Sequence, residues 1–64
     1  MFPHTKNPIN HDVPNKEYVL QYTNRRYRCI SWHPHYIMTN WVKSKADAIK
    51  DGDESVEKFY RSKA

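Results

Sequence analysis

Three short segments in the middle of the chain have the composition of β-strands. They are EYVLQYT (17–23), YRCISW (27–32) and YIMTNWV (36–42). Each is rich in Tyr, Trp, Val, Ile and Thr, the side chains that suit a half-buried pleated surface. The segments NRR (24–26) and HPH (33–35) between them have the length of tight loops. The pattern therefore predicts a three-stranded antiparallel meander.

Alternation with period 2 assigns the faces of this sheet if each connector is a three-residue loop. One face is then nearly all apolar: Tyr18, Leu20, Tyr22, Arg28, Ile30, Trp32, Tyr36, Met38, Asn40 and Val42. The opposite face mixes polar and aromatic side chains: Val19, Gln21, Thr23, Tyr27, Cys29, Ser31, Ile37, Thr39 and Trp41. An error of one residue in either loop exchanges the faces of a strand.

After residue 42 the apolar period becomes that of a helix. Ser44 and Asp47 have the spacing of a helix cap followed by a carboxylate near the positive helix end. One stripe at helical spacing contains Ala46, Ile49, Gly52, Val56, Phe59 and Tyr60. In a helix interior, Gly52 is less favourable than alanine by about 1 kcal/mol. A glycine on the inner stripe therefore indicates that the helix approaches the sheet closely there. A helix break at 51–53, with Asp53 capping a second helix, is the alternative.

Residues 1–16 contain three prolines and no periodic apolar pattern, which predicts a flexible, disordered N-terminal arm. The predicted fold class is α+β: a three-stranded antiparallel sheet packed by one C-terminal helix, in a single β-β-β-α domain over residues 17–62. With 64 residues, such a domain has a small core and marginal stability, to which a partner can add.

The single cysteine, Cys29, cannot form an intramolecular disulfide, which favours a reducing compartment. The N-terminal segment has no apolar core or cleavage site of a signal peptide, and no run approaches 18 apolar residues. These features predict a cytoplasmic protein without a membrane partner.

Charge is distributed unevenly along a chain whose net charge is +4 and whose pI is near 9.4. Residues 18–46 contain no acid, whereas residues 47–57 contain five acids and one lysine. An acidic partner would therefore meet the sheet and its loops, because the helix would repel phosphates. The candidate nucleic-acid-binding residues are Arg25, Arg26, Arg28, Lys43 and Lys45 on phosphates, with Tyr27 and Trp41 as stacking or groove contacts. The alternative is that the aromatics belong to the core or its rim and the arginines to a solvated turn.

Cys29, His33 and His35 are the candidate metal ligands, since a strand would place them on one side. A fourth ligand is available only from His4 or His11 on the predicted arm, so no metal or other cofactor is predicted. Cys29 has no evident base or orienting group for nucleophilic catalysis, and a chain with one glycine has no phosphate loop. The sequence predicts no enzyme activity and no small-molecule substrate.

The segment VKSKADAI (42–49) resembles the junction of sheet and helix in the arm-type DNA-binding domains of phage integrases and their AP2-like relatives. Arg26-Tyr27-Arg28 resembles their basic strand. The resemblance covers the order of elements over residues 17–60 and implies a sheet that faces the DNA major groove. The chain departs from that family in lacking a glycine-bearing turn and in having fewer basic residues in its strands.

The same order of elements is similar to that of small phage proteins that bind and inhibit a host enzyme such as RNA polymerase. That resemblance implies a protein-binding surface and a location in the host cytoplasm. The sequence therefore predicts a small basic binding protein, monomeric or weakly dimeric, that binds nucleic acid, DNA in particular, through its sheet. The alternative is a protein-interaction module that binds an acidic protein surface through its exposed aromatic face or an edge strand.

Overall fold

A computed structural model describes residues 7–33 and 35–63, so the first six residues of the predicted arm lie outside the described residues. The described elements are β1 (Ile9–Asp12), β2 (Val19–Thr23), β3 (Arg26–Ser31), β4 (Ile37–Met38) and α1 (Lys45–Lys63). The strands form one antiparallel sheet in the order β1-β2-β3-β4. The α+β class with one C-terminal helix is confirmed, whereas the predicted number of strands is wrong. Within the same residues, no helix combines the length and apolarity that crossing a membrane requires.

The additional strand, β1, lies in the segment predicted to be a loose arm, and it pairs along its whole length with β2. A tight turn at Pro14 and Asn15 reverses the chain between them. Lys16 N donates to Val13 O at 3.3 Å, and Asn15 has a positive φ of 62°, which is the geometry of a type II turn with proline in second place. All four residues of β1 are exposed. Their sequence therefore lacks the alternation of apolar and polar residues by which a half-buried strand is predicted.

The loop between β2 and β3 contains two residues instead of the predicted three. Thr23 faces Arg26 across the ladder, and Asn24 and Arg25 between them have positive φ of 51° and 60°. Positive φ at both positions defines a type I′ turn, whose twist matches that of the strands it joins. The shorter loop shifts β3 by one residue, and the predicted assignment of its faces is therefore wrong.

Two faces can now be distinguished by their position relative to α1. The helix face carries Leu20 and Tyr22 of β2, Tyr27, Cys29 and Ser31 of β3, and Ile37 of β4. The open face carries Val19, Gln21 and Thr23 of β2, Arg26, Arg28 and Ile30 of β3, and Met38 of β4. The predicted positions of Arg28 and Met38 on the apolar face, and of Tyr27 on the opposite one, are corrected by this register.

Beyond β4 the chain continues alongside β3, with one residue more than the stretch of β3 that it faces. Thr39 N donates to Cys29 O at 3.0 Å, and Val42 then pairs with Tyr27. Three steps along one chain thus match two along the other, as in a β-bulge. The extra residue lies in the segment that contains Trp41.

The core lies between the helix face and α1, around Tyr18, Leu20, Cys29 and Ala48. The helix approaches this core closely at Gly52, where an added Cβ would lie 2.7 Å from Cys29 Sγ and 2.9 Å from Tyr18 Cε2. The predicted close approach is confirmed, and α1 runs through 51–53 without the break considered above.

The start of α1 is also as predicted. Ser44 Oγ accepts a hydrogen bond from Asp47 N at 3.4 Å, and Ser44 O accepts one from Ala48 N at 3.0 Å. The predicted inner stripe needs two corrections, because Ala48 is fully buried while Ala46 is exposed, and because Tyr60 is also exposed.

Candidate nucleic-acid interface

A row of polar side chains crosses the open face from strand to strand. Asn10, Gln21 and Arg28 are direct cross-strand neighbours on β1, β2 and β3. Gln21 Nε2 donates to Asn10 Oδ1 at 2.7 Å, and Arg28 Nε donates to Gln21 Oε1 at 2.7 Å. The guanidinium carbon of Arg28 lies 4.4 Å from the ring centroid of Trp41. These four residues, Asn10, Gln21, Arg28 and Trp41, are called the Arg28 row below.

The Arg28 row fixes a guanidinium group in a defined orientation. Gln21 holds its Nε from one side and the indole of Trp41 covers one of its faces, a cation–π contact that favours arginine over lysine. Among the described residues, no group accepts a hydrogen bond from the terminal nitrogens of Arg28. Those nitrogens can donate in parallel to a phosphate or to the O6 and N7 atoms of guanine. Gln21 is 7% exposed, so its part is to position Arg28.

The five cations predicted to bind phosphates are called the basic end, because two of them lie at or beside the β2–β3 turn and the chain that carries the two lysines follows Val42, the bridge partner of Tyr27. The basic end comprises Arg25, Arg26, Arg28, Lys43 and Lys45. Tyr27 N donates to Val42 O at 2.7 Å and Val42 N to Tyr27 O at 2.8 Å, so the segment that follows Val42 begins beside the hairpin. Within the described residues none of the five cations forms an ion pair with a carboxylate. Asp47, in the first turn of α1, is the nearest acid along the chain.

Tyr27 does not belong to this surface. Its ring packs against Tyr22 with centroids 4.8 Å apart, and it contacts the buried core cluster. The predicted face of Tyr27 is wrong, because the two-residue loop turns its half-buried ring toward α1, and its role in binding stays a prediction. Trp41 is half-buried and lies beside Arg28 on the open face.

A second surface, the aromatic end, is formed by residues that the sequence placed on the apolar face of the predicted sheet. It comprises Trp32, Tyr36 and Met38, which are 59%, 61% and 52% exposed. Met38 faces Ile30 across the ladder, and the hydroxyl of Tyr36 donates to Met38 Sδ at 3.3 Å. Trp32 follows the last residue of β3 and lines a groove of about 470 Å³ with Val19 and Ile30 of the open face. An asparagine at the first hairpin position is the signal that could have revealed the two-residue loop and these exposures.

The three candidate metal ligands do not converge. Cys29 is fully buried, its thiol donates to Ala48 O at 3.1 Å, and burial raises its pKa to about 11. The ring of His35 is buried and stacked on Phe59 at 3.8 Å, whereas His33 is exposed. In the described part of the chain, no group of three or more His, Cys, Asp or Glu side chains could hold a metal ion. His4 lies outside the described residues.

The thiol of Cys29 is also poorly suited to nucleophilic chemistry. A cysteine reacts as its thiolate, which a raised pKa disfavours near neutral pH. The predicted absence of catalytic residues stays a prediction.

Comparisons with known proteins add no relative to this description. No protein-family model matches the chain, and no curated protein and no solved structure shows significant similarity to it. The resemblance to arm-type and AP2-like domains therefore stays a prediction, and the function has to be argued from the geometry of the open face.

Proposed function

We propose that this chain is a small nucleic-acid-binding module, with DNA as its first candidate ligand, that acts through the open face and the β2–β3 hairpin. The observation that carries the proposal is the fixed guanidinium of Arg28, held between Gln21 and Trp41 at the basic end. An arginine that is already oriented loses less conformational entropy when it meets a phosphate or a base edge.

The placement of acids supports the same surface. Five acids lie on α1, which covers the opposite face of the sheet: Asp47, Asp51, Asp53, Glu54 and Glu57. On the open face, Asp12 pairs with Val19 at the end of β2 that is remote from the hairpin. A polyanion is therefore attracted to the basic end of the open face and repelled from the helix side.

The roles of the residues follow from their positions. Arg25 and Arg26 are exposed at the hairpin, and Lys43 and Lys45 are exposed around the start of α1, where they can neutralise phosphates. Arg28 donates from its terminal nitrogens to a phosphate or a guanine edge. Trp41 supports the guanidinium of Arg28 and carries no separate stacking role in this proposal.

The test is a fluorescence anisotropy titration of labelled duplex DNA, single-stranded DNA and RNA at two salt concentrations. The triple variant Arg25→Ala, Arg26→Ala, Arg28→Ala is compared with a matched control, Lys50→Ala, Lys58→Ala, Arg61→Ala. Both variants remove the same charge, but the control removes it from exposed positions on α1.

We expect the hairpin variant to lose at least about tenfold in affinity. The slope of log affinity against log salt concentration should become shallower by about one for each phosphate contact that is lost. The control variant should bind within about threefold of the unchanged protein if contacts, and not net charge, dominate. Absence of binding by the unchanged protein to all three nucleic acids at about 50 mM salt would refute the proposal, because the electrostatic attraction is strongest at low salt.

A protein-interaction module that modulates a host enzyme such as RNA polymerase is the second candidate. It is favoured by the exposed cluster of Trp32, Tyr36 and Met38 and by β1, an exposed edge strand whose outer backbone groups can pair with another sheet. Binding of this kind would depend weakly on salt and would not require the three hairpin arginines.

A further inference from the structure

We infer that the nucleic acid is bound as a single strand, with its bases stacked at the aromatic end and its phosphates at the basic end of the open face. This inference rests on the proposed function and adds the class of ligand. It assigns a binding role to Trp32 and Tyr36, two residues to which the proposed function alone assigns none.

The first argument is the exposure of the aromatic end. Trp32 and Tyr36 are each more than half exposed, and Met38 beside Tyr36 is 52% exposed. Isolated exposed apolar residues are common, but a cluster of large ones marks a contact surface. Within a duplex the base faces are stacked on one another, whereas a single strand can place its bases on protein aromatics. A duplex would contact the basic end and leave the aromatic end unused.

The second argument is the distance between the two ends. Open-face positions recur every second residue along β3, so Arg26, Arg28 and the following Trp32, with the buried Ile30 between the last two, extend over roughly 20 Å at about 3.4 Å per residue. This length is on the order of six stacked nucleotides, given about 3.4 Å per nucleotide in one strand. A short single strand lying along β3 can therefore reach both ends.

The third argument is the order of charges along that path. The groove beside Trp32 has two acids among its walls, Asp12 and Glu17, and one lysine, Lys16, whose charge is paired with Asp53. The basic end, by contrast, forms no ion pair with a described carboxylate. The carboxylates of this groove would repel phosphates but would not repel the uncharged faces of the bases. Charge complementarity therefore assigns the bases to the aromatic end and the phosphates to the basic end.

The loop that carries the aromatic end is anchored on both sides. Ser31 Oγ donates to the carbonyl oxygen of His33 at 2.8 Å, and the ring of His35 is stacked on Phe59 of α1 at 3.8 Å. The hydroxyl of Tyr36 bonds to Met38 Sδ. Aromatic rings on an anchored loop lose little freedom when a base stacks on them.

The experiment compares three labelled probes at about 50 mM salt: a 12-nucleotide oligo-dT, a 12-nucleotide oligo-U and a 12-base-pair duplex, each long enough to reach both ends. The double variant Trp32→Ala, Tyr36→Ala is tested beside Ile9→Ala, which shortens a comparably exposed apolar side chain (57%) on β1. Circular dichroism checks that each variant retains the fold.

We expect oligo-dT or oligo-U to bind at least about tenfold more tightly than the duplex, and the double variant to lose about tenfold or more for single strands. Its affinity for the duplex, and all affinities of Ile9→Ala, should be unchanged. The ratio between oligo-U and oligo-dT shows whether RNA or DNA is preferred.

Two outcomes overturn the inference. Duplex binding as tight as single-strand binding, with no effect of the double variant, would leave the proposed function intact and remove this inference. Absence of binding to all three probes would refute both this inference and the proposed function. In that case, a protein partner whose binding is lost in the double variant would identify the aromatic end as a protein interface.

Discussion

The hydroxyl group of Tyr18 donates a 2.7 Å hydrogen bond to Asp53 Oδ1, which joins the residue preceding β2 to the middle of α1. The same carboxylate lies 3.0 Å from Lys16 Nζ. The hydrogen bond from Tyr18, with a smaller contribution from Lys16, lowers the pKa of Asp53. Burial and the same hydrogen bond raise the pKa of Tyr18 well above its usual range. The pair therefore links the docking of the helix to the ionisation of one carboxyl group.

Stability should fall in acid as Asp53 becomes protonated. The pKa of Asp53 is lower in the folded chain than the value of about 3.9 expected when unfolded, so its stabilisation is complete above about pH 4. It is lost as the pH falls through the folded pKa, because the unfolded chain then binds more protons.

Asp53→Asn should reduce the free energy of unfolding by about 1 kcal/mol near pH 7, since the bond is partly exposed. The difference from the unchanged protein should shrink progressively as the pH falls below about 4, the pKa expected in the unfolded chain. A series of urea denaturation curves from pH 7 downward measures this. Asp12→Asn, at an exposed position on β1, is the control; an equal loss in the control would contradict the assignment.

Gly52→Ala should destabilise the protein although alanine is the better helix former. The gain in helix propensity is about 1 kcal/mol, but the new methyl group would lie 2.7 Å from Cys29 Sγ, and overpacking costs about 1–3 kcal/mol. We expect a net loss of about 1 kcal/mol in urea denaturation. In a Cys29→Ala background the loss should shrink, because one of the close atoms is removed. A more stable Gly52→Ala protein would show that the helix stands further from the sheet.

Arg25→Gly should separate the stability of the hairpin from its binding. Arg25 has a φ of 60°, which glycine adopts without the steric cost that a side chain incurs, so the variant should be more stable by about 0.5–1 kcal/mol. Arg25→Ala should lack that gain. Both variants should weaken nucleic-acid binding to a similar degree, as measured by anisotropy beside thermal unfolding. If only one of them weakened binding, the charge of Arg25 would not be the cause.

Gln21→Met tests whether Gln21 acts through Arg28. The variant keeps the volume of the side chain but removes the acceptor for Arg28 Nε and the donor to Asn10. We expect binding to weaken by about three- to tenfold, consistent with the loss of about 1 kcal/mol of positioning. In an Arg28→Ala background the same substitution should have no further effect on binding, and an additive effect would show that Gln21 acts independently.

Local features of the sequence predicted the parts of the fold that depend on neighbouring residues. Ser44 caps α1 because its side chain meets a backbone N–H three residues ahead, whatever the rest of the chain does. Gly52 falls on the inner stripe by helical spacing alone. The cations of the basic end were likewise evident, because they lie in an acid-free segment of the chain.

The sequence by itself determined the α+β class, the capped C-terminal helix, the close approach at Gly52 and the identity of the basic segment. The tertiary structure decided the register. Both faces of β3 carry apolar and aromatic residues, so alternation fits either orientation, and the length of one loop selects between them. The two-residue turn sends Tyr27 into the core and Arg28 to the open face, where Gln21 and Trp41 hold it. β1 likewise became visible only through its pairing with β2, because a fully exposed strand has no hydrophobic pattern to read.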